Sequence, residues 1–179
     1  MKHKISAKRL SDTLFEIAKN NDSIEEVKTS IIEFDNILKV NNELKSFVQS
    51  KRFSQEQKLV ILMDALGPSF HGFVLGIVSY TSGIKASKII RQVKNNFIDS
   101  YKVMKNIVSI HATFSSEVRE EDLNGIQKKL SGHLNKDAEL TFEVDPSLIG
   151  GARFRIDNMF LDASVKSQLK NIKSDLMKI

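Results

Sequence analysis

The chain has 179 residues but contains no cysteine, no tryptophan and only two prolines. Without cysteine it cannot form disulfides, a thiolate nucleophile or a sulfur-rich metal site, which fits a reducing cytosol. Long apolar runs are missing as well, because the longest extends from Phe73 to Tyr80 and already contains Gly76 and Ser79. A membrane-spanning helix needs roughly 20 apolar residues, so we expect a soluble or peripheral protein.

The charge is distributed unevenly along the chain. The net charge is +5, and residues 1–105 carry 17 basic against 11 acidic side chains, whereas residues 106–179 carry 10 against 11. The basic start, Met1 to Ser6, has no apolar segment behind it and does not resemble a secretory signal. The change of charge predicts two parts of different chemistry, with a boundary near residue 105.

Residues 1–105 show the periodicity of six amphipathic helices in succession. The first is predicted from Ile5 to Asn20, and the fourth stops at Gly67-Pro68. Gly72 and Gly76 lower the helix propensity of the fifth helix and indicate a surface that a neighbour approaches closely. Three cap signals precede the second, fourth and fifth helices: Ser23 with Glu26, Ser54 with Gln57, and Ser69.

The sixth helix has an apolar arc and a basic arc. The apolar side chains are Ile90, Val93, Phe97, Tyr101 and Met104, and the basic ones are Lys85, Lys88, Arg91, Lys94, Lys102 and Lys105. A basic face of this kind allows an alternative function, a helical-bundle protein that binds RNA or DNA. A solvated charged face is the more ordinary interpretation, because no stacking platform or base-reading motif accompanies it.

Near residue 105 the period of the apolar pattern changes from 3.6 to 2, which predicts strands. The first strand alternates through Val108, Ile110, Ala112 and Phe114. A helix follows, with Leu123, Ile126, Leu130 and Leu134 on its buried side. Two further strands are predicted, one with Leu140, Phe142 and Val144 inward and one with Ala152, Phe154 and Ile156 inward, and then a short strand from Met159 to Leu161. The last helix is capped by Ser164 and has Val165, Leu169, Ile172 and Leu176 on one face. The sequence therefore predicts an α+β protein, a six-helix bundle at 1–105 followed by a β-α-β-β-β-α domain at 106–179.

Residue patterns that would carry chemistry are weak. The four histidines, His3, His71, His111 and His133, lack the spacing of a zinc-binding helix, so we expect each to be structural or solvated. Glu139, Glu143 and Asp145 share one strand face, where a carboxylate pair could act as acid and base, but a solvated face is the simpler interpretation. We expect no catalytic residue, no metal and no cofactor.

The glycine pair Gly150-Gly151 is the start of a predicted strand and not a phosphate loop, since a phosphate loop leads into a helix and carries a following lysine. Two motifs around it are specific. They are Val144-Asp145-Pro146-Ser147-Leu148-Ile149-Gly150-Gly151 and, after an alternating strand, Asp162-Ala163-Ser164-Val165. Together they resemble the C-terminal signature of the delta subunit family of F-type ATP synthase, whose mitochondrial counterpart is the oligomycin-sensitivity-conferring protein. The segment from Arg9 to Ala18 resembles the first helix of that family, and the layout is similar along the whole chain.

This resemblance implies a non-catalytic stator subunit that links the catalytic head to the peripheral stalk, so that rotation is coupled to proton-driven ATP synthesis. It implies that residues 1–105 grip the N-terminal segments of the alpha subunits and that residues 106–179 hold the b subunits. One copy would sit in the complex, at the cytoplasmic face of the bacterial inner membrane. The candidate partner residues are Leu10, Leu14, Phe73, Val74 and Ile77 for the head and Val165 and Leu169 for the stalk, and the structural motif residues are Asp145, Gly150, Gly151, Asp162 and Ser164.

Overall fold

The computed structural model describes residues 6–177. His3 and the predicted helix start at Ile5 lie outside these residues. The chain forms two compact units that divide between Tyr101 and Lys102. Within the described residues there are eight helices and four strands, which confirms the predicted α+β class.

The first unit is helical. Its helices are α1 (Ala7–Asn20), α2 (Ile24–Val40), α3 (Asn42–Gln49), α4 (Gln55–Leu66), α5 (Gly72–Ser79) and α6 (Ala86–Met104), of which residues 102–104 already belong to the second unit. The short, apolar α5 packs against α1, α2 and α4. One contiguous core joins the helices, and its largest members include Phe34, Phe97, Leu14, Ile31, Leu62 and Leu75. The 3.6-residue spacing seen in the sequence brings these side chains to one side of each helix.

The cap predictions have mixed outcomes. The capping box of α4 is confirmed, since the Ser54 hydroxyl accepts from the amide of Gln57 and the Gln57 side chain accepts from the Ser54 amide. The box predicted at Ser23 is wrong: this hydroxyl is buried and has no hydrogen-bond partner among the described residues. Ser69 is also wrong as a cap, because α5 begins later and Nδ1 of His71 accepts from the amide of Phe73 at 3.3 Å.

A buried carboxylate joins α2 to α6. Asp35 is 1 % exposed, and its Oδ2 lies 2.8 Å from Nζ of Lys94 and 3.0 Å from Nζ of Lys39. Nε of Arg91 lies 3.6 Å from Oδ1 of the same carboxylate. Burial alone would raise the pKa of Asp35, but the hydrogen bonds from Lys94 and Lys39 outweigh it and lower that pKa. Two members of the basic arc of α6 are therefore internal ion-pair partners.

The second unit is a four-stranded sheet with two helices. Its elements are β1 (Ile107–Phe114), α7 (Glu120–Leu134), β2 (Asp137–Val144), β3 (Gly151–Ile156), β4 (Met159–Ser164) and α8 (Val165–Leu176). The strand order is β2-β1-β3-β4, with β1 parallel to β2 and antiparallel to β3, and β3 antiparallel to β4. A parallel pair needs a crossover connection, and α7 supplies it between β1 and β2.

The register separates an apolar sheet face from a polar one. Ile110 of β1 lies opposite Leu140 of β2 and Ile156 of β3, so these three side chains share a face. Val108, Ile110, Ala112 and Phe114 are all buried, as their alternation predicts. Toward the end of β2 the prediction is wrong: Phe142 and Val144 are 49 % and 40 % exposed, and β2 is an edge strand of the sheet. Met104, predicted on the buried arc of α6, is likewise exposed at the end of that helix.

Candidate functional site

The motif residues converge where β3 begins and β4 passes into α8. Gly151 has φ +82°, a conformation that favours glycine, and it pairs with Ser164 across the β3–β4 ladder. The carbonyl of Gly150 accepts a hydrogen bond of 3.0 Å from the amide of Val165. A Cβ at Gly151 would lie 2.5 Å from the carbonyl oxygen of Ala163. The glycine pair thus permits a backbone contact that fixes the start of α8 against the sheet.

Two Asp-x-Ser turns frame this joint. Oδ1 of Asp145 accepts from the amide of Ser147 and Oδ1 of Asp162 accepts from the amide of Ser164, each at 2.9 Å. These hydrogen bonds lower the pKa of both aspartates, and the positive charge of Arg153 adds to the effect. The Ser164 hydroxyl accepts from the amide of Ser167 at 3.3 Å, so the predicted cap of α8 is confirmed. The motif residues therefore have a structural role, which is to orient α8.

One face of α8 is apolar and uncovered. Its side chains are spaced by 4, 3 and 4 residues, as in an amphipathic helix that packs on a partner. We call this set the α8 stripe: Val165 at 37 % exposure, Leu169 at 59 %, Ile172 at 56 % and Leu176 at 66 %. Val165 and Leu169, the predicted stalk residues, both belong to it. Isolated exposed apolar residues are ordinary, but a complete stripe indicates an interaction surface.

The strand that leads into α8 has the same character. β4 is the last strand of the sheet, and Met159, Phe160 and Leu161 are all more than half exposed. Side chains on both faces of this strand are apolar, and no lysine or proline lies within Met159–Ser164 to discourage pairing with another chain. The apolar surface of the second unit therefore extends over consecutive elements.

In the first unit the predicted head-binding residues fall into two groups. Leu14 is fully buried and Val74 is 1 % exposed, so both are core side chains. Leu10, Phe73 and Ile77 are half-buried and pack on the edge of that core. Because α1 packs directly against α5, these three side chains lie on neighbouring helices. They are the members of the predicted set that a partner could reach.

The outward face of α5 forms a second stripe. Val74, Leu75, Val78 and Ser79 point into the core, which leaves the opposite side of the helix outward. We call this outward set the α5 stripe: Phe73, Gly76, Ile77 and Tyr80. A Cβ added at Gly76 would meet nothing within 4 Å. The fold therefore does not need glycine at this position, although the glycine keeps the stripe shallow.

The polar face of the sheet holds the carboxylates considered for chemistry. Glu143 lies 3.4 Å from Nε2 of His111 and accepts a hydrogen bond from Thr113, and all three side chains are solvent-accessible. Glu139 pairs with Nζ of Lys102 at 2.7 Å, whereas Asp145 serves the turn described above. Within residues 6–177 no group of three or more His, Asp or Glu is arranged to hold a metal ion.

The basic arc of α6 does not form a continuous surface for phosphates. Arg91 and Lys94 are turned to the buried carboxylate of Asp35, and Lys102 contacts both Glu139 and the hydroxyl of Ser109. Each of these cations thus has an acidic partner within the chain, although Arg91 and Lys94 share the single carboxylate of Asp35 with Lys39. Among the described helices none is long and apolar enough to cross a membrane.

Comparisons with known proteins agree with this geometry. The family described as ATP synthase delta (OSCP) subunit matches residues 7–176. Two similar proteins are both named ATP synthase subunit delta. The one from Bacillus thuringiensis (strain Al Hakam) is 28 % identical over 99 % of each chain, and the one from Desulforudis audaxviator (strain MP104C) is 24 % identical over 95 % of this chain and 93 % of its own. A chain in the cryo-EM structure of the Toxoplasma gondii mitochondrial ATP synthase hexamer has the same fold, with a TM-score of 0.62, 19 % identity and coverage of 97 % and 98 % of the two chains. The resemblance carried by the glycine motif is confirmed.

Proposed function

The chain belongs to the ATP synthase delta (OSCP) subunit family, and on that premise we propose that it connects two partners of the complex, one through each unit. It is a non-catalytic stator subunit of the peripheral stalk. Within this role we assign the N-terminal segments of the alpha subunits to the six-helix bundle of residues 1–105. We assign the b subunits to the β-α-β-β-β-α domain of residues 106–179.

The α8 stripe is the observation that carries this proposal. A folded helix whose whole apolar face stays in water loses the stabilisation of burial, about 25 cal/mol per Å² of apolar surface. A partner helix laid against the stripe recovers that free energy. Lys166, Lys170 and Lys173 are exposed, and each comes one residue after a member of the stripe, so they form a row beside it on α8. The segment of the b subunits that binds here should therefore be an amphipathic helix with apolar side chains along one face.

Leu169→Asp is expected to weaken binding of the C-terminal segment of the b subunits by about 100-fold, because the new carboxylate must be desolvated inside an apolar contact. Leu169 is 59 % exposed, so the stability of the second unit should change by only about 0.5 kcal/mol. Calorimetric titration with this b segment measures the affinity, and urea unfolding measures the stability.

Ser174→Asp is the matched control for this variant. Ser174 is exposed and lies on the side of α8 opposite the stripe. The substitution therefore introduces the same charge away from the apolar contact. It should bind the b segment as the unsubstituted chain does. Equal loss of affinity in both variants would mean that general charge, and not the α8 stripe, governs the interaction.

For the alpha subunits, we assign the α5 stripe together with Leu10 on the adjacent α1. The half-buried Phe73 and Ile77 flank Gly76, and the absent side chain at Gly76 leaves room for a helix to approach closely. Leu14 and Val74 support this surface from the core and do not touch the partner.

Gly76→Glu is expected to abolish docking of a peptide from the N-terminus of the alpha subunits, with about 100-fold or greater loss of affinity, since a charged side chain fills the approach to the stripe. The bundle should become more stable by about 0.5–1 kcal/mol, because glutamate is a better helix former than glycine and nothing lies within 4 Å of its Cβ. Fluorescence anisotropy at moderate salt measures the binding.

Gly132→Glu is the control, because a Cβ at Gly132 in α7 also meets nothing within 4 Å. This variant should bind the alpha peptide normally. The salt concentration also separates the two functions under consideration, since apolar docking persists when salt is raised and phosphate binding weakens steeply. Loss of alpha-peptide binding at moderate salt would mean that charge, and not the apolar α5 stripe, holds the peptide.

The position in the cell follows from the same role. The chain is a peripheral component of the complex, and the two relatives named ATP synthase subunit delta come from the bacteria Desulforudis audaxviator and Bacillus thuringiensis. We therefore place a single copy at the cytoplasmic face of the bacterial inner membrane, in contact with the membrane only through its partners.

A further inference from the structure

A cleft of about 900 Å³ opens on the first unit. One wall is formed by the end of α3 and the loop into α4, residues 46–53. The other wall is the loop between α5 and α6, residues 82–85. No residue of the α5 stripe lines it, so the function proposed above leaves this surface unused.

The cleft is basic and holds no compensating acid. Lys51, Arg52 and Lys85 line it, and the remaining lining residues are uncharged. Within the part of the chain that the structure describes, none of these three cations pairs with a carboxylate. Lys85 is the first member of the basic arc of α6, and it differs from Arg91 and Lys94 further along that arc, which are turned to Asp35. The three cations of the cleft are therefore available to an outside partner.

A buried lysine fixes the two walls. Nζ of Lys58 donates to the carbonyl of Val48 at 2.8 Å and to the carbonyl of Thr81 at 3.0 Å, and the side chain is 2 % exposed. These carbonyls belong to the end of α3 and to the residue just before the second wall. The amide of Gly83 also donates to the carbonyl of Gln49 at 2.8 Å. Burying an ammonium group is costly unless it is hydrogen-bonded, and the two hydrogen bonds of Lys58 satisfy it here. Because the same hydrogen bonds join the two walls, the shape of the cleft is preorganised.

Two apolar side chains accompany the charges. Ile84 is 90 % exposed on the second wall, and Phe53 is 40 % exposed on the first. A small anion would leave both side chains in water. A nucleic-acid strand needs a path of cations longer than one cleft. The basic arc of α6 starts at Lys85, but Arg91 and Lys94 further along it are turned to Asp35 and interrupt such a path. Carboxylates next to an apolar side chain match both the cations and the two apolar side chains that line the cleft.

We propose that the cleft between residues 46–53 and 82–85 binds an acidic peptide segment, with at least one large apolar side chain, from another subunit of the ATP synthase. Carboxylates of the segment pair with Lys51, Arg52 and Lys85, and its apolar side chain packs on Ile84 and Phe53. This contact is additional to the α5 stripe and the α8 stripe.

The intact complex tests the site directly. A zero-length carbodiimide reagent joins amines to carboxylates in direct contact, so Lys51 or Lys85 should become linked to an Asp or Glu of another subunit, as peptide mapping by mass spectrometry would show. Both amines should also be acetylated more slowly in the complex than in the free chain. Full acetylation of both amines in the complex, without any cross-link, would overturn the proposal.

Charge reversal provides a second measurement. The double variant Lys51→Glu/Lys85→Glu should lower the affinity of the chain for the rest of the complex by about 100-fold, since two charge pairs become repulsive. Lys88→Glu is the control, because Lys88 is exposed but does not line the cleft. If inorganic phosphate alone protects Lys51 and Lys85 of the free chain from acetylation, or if RNA does so, the occupant is not a peptide. Unchanged affinity of the double variant also contradicts the proposal.

Discussion

Replacing Gly151 by valine should unfold the second unit and leave the first unit folded. Gly151 has φ +82°, and a Cβ there would lie 2.5 Å from the carbonyl oxygen of Ala163 and 3.0 Å from Cα of Ser164. Both atoms belong to the backbone, so no flexible side chain can move aside. The β3–β4 ladder or the start of α8 must shift instead.

The expected cost exceeds what a unit of this size can lose. A β-branched residue at positive φ costs about 1–3 kcal/mol, and the backbone clash brings the total to about 4 kcal/mol or more. Domains are stable by roughly 0.05–0.15 kcal/mol per residue and small ones lie at the low end, which is only about 4 kcal/mol for a unit that runs from Lys102 to the C-terminus. The variant should therefore leave most molecules with an unfolded second unit at 37 °C.

Hydrogen exchange followed by mass spectrometry reports the two units separately. Amides of residues 107–164 should lose protection in Gly151→Val, and amides of α1–α6 should keep it. Gly125→Val is the control: it lies in α7 of the same unit, and a Cβ there meets nothing within 4 Å. Loss of protection in both units of the Gly151 variant would contradict two independently folding domains, and unchanged protection would mean that the glycine is dispensable.

The glycine pair also shows how far the sequence could lead. Alternation on both sides of it predicted strands, and the structure begins β3 at Gly151. The α+β class, the α4 cap and the cap at Ser164 could be predicted from the sequence for the same reason, since each depends on residues that are close in sequence. Hydrogen-bond and ion-pair partners that are distant in sequence could not be predicted in this way.

Buried polar groups illustrate what local patterns cannot supply. Asp35 and Lys58 occupy inward positions on α2 and α4, and this placement was the only available signal. Lys39 is a local partner of Asp35, but Lys94 lies 59 residues away, and the carbonyls of Val48 and Thr81 that bind Lys58 lie 10 and 23 residues away. The displacement of the α5 cap from Ser69 to His71 has a similar origin, because the Ser30 hydroxyl accepts from the amide of His71 at 2.9 Å and holds the start of the helix.

The candidate surfaces depend on a different kind of information. Periodicity assigned an apolar face to both α1 and α8 but could not say whether the chain itself covers each face. Leu14 is buried by the rest of the bundle, whereas Leu169 remains 59 % exposed. The difference arises because α1 is surrounded by other helices and α8 follows the edge strand of a small sheet.

Replacing Asp35 by asparagine should destabilise the first unit by about 3 kcal/mol, the lower end of the range for breaking a buried ion pair. The value is at the lower end because Lys39 and Arg91 are 43 % and 55 % exposed and can regain water, whereas Lys94 is only 17 % exposed. Asparagine keeps the volume of aspartate, so cavity formation does not contribute. Urea unfolding gives the change in free energy, and Glu33→Gln, an exposed position on the same helix, should change it little.

The pH dependence of this stability difference tests whether the charge of Asp35 is its cause. Hydrogen bonds from Lys94 and Lys39 hold the pKa of Asp35 below its ordinary value despite burial, and that ordinary value is about 3.9. The carboxylate therefore contributes its full stabilisation above about pH 4 and loses it as the pH falls through the lower folded-state pKa. The stability difference between the unsubstituted chain and Asp35→Asn should be constant from neutral pH to about pH 5 and shrink in stronger acid. A difference that stays the same throughout would mean that hydrogen-bond geometry, and not the charge of Asp35, stabilises the contact between α2 and α6.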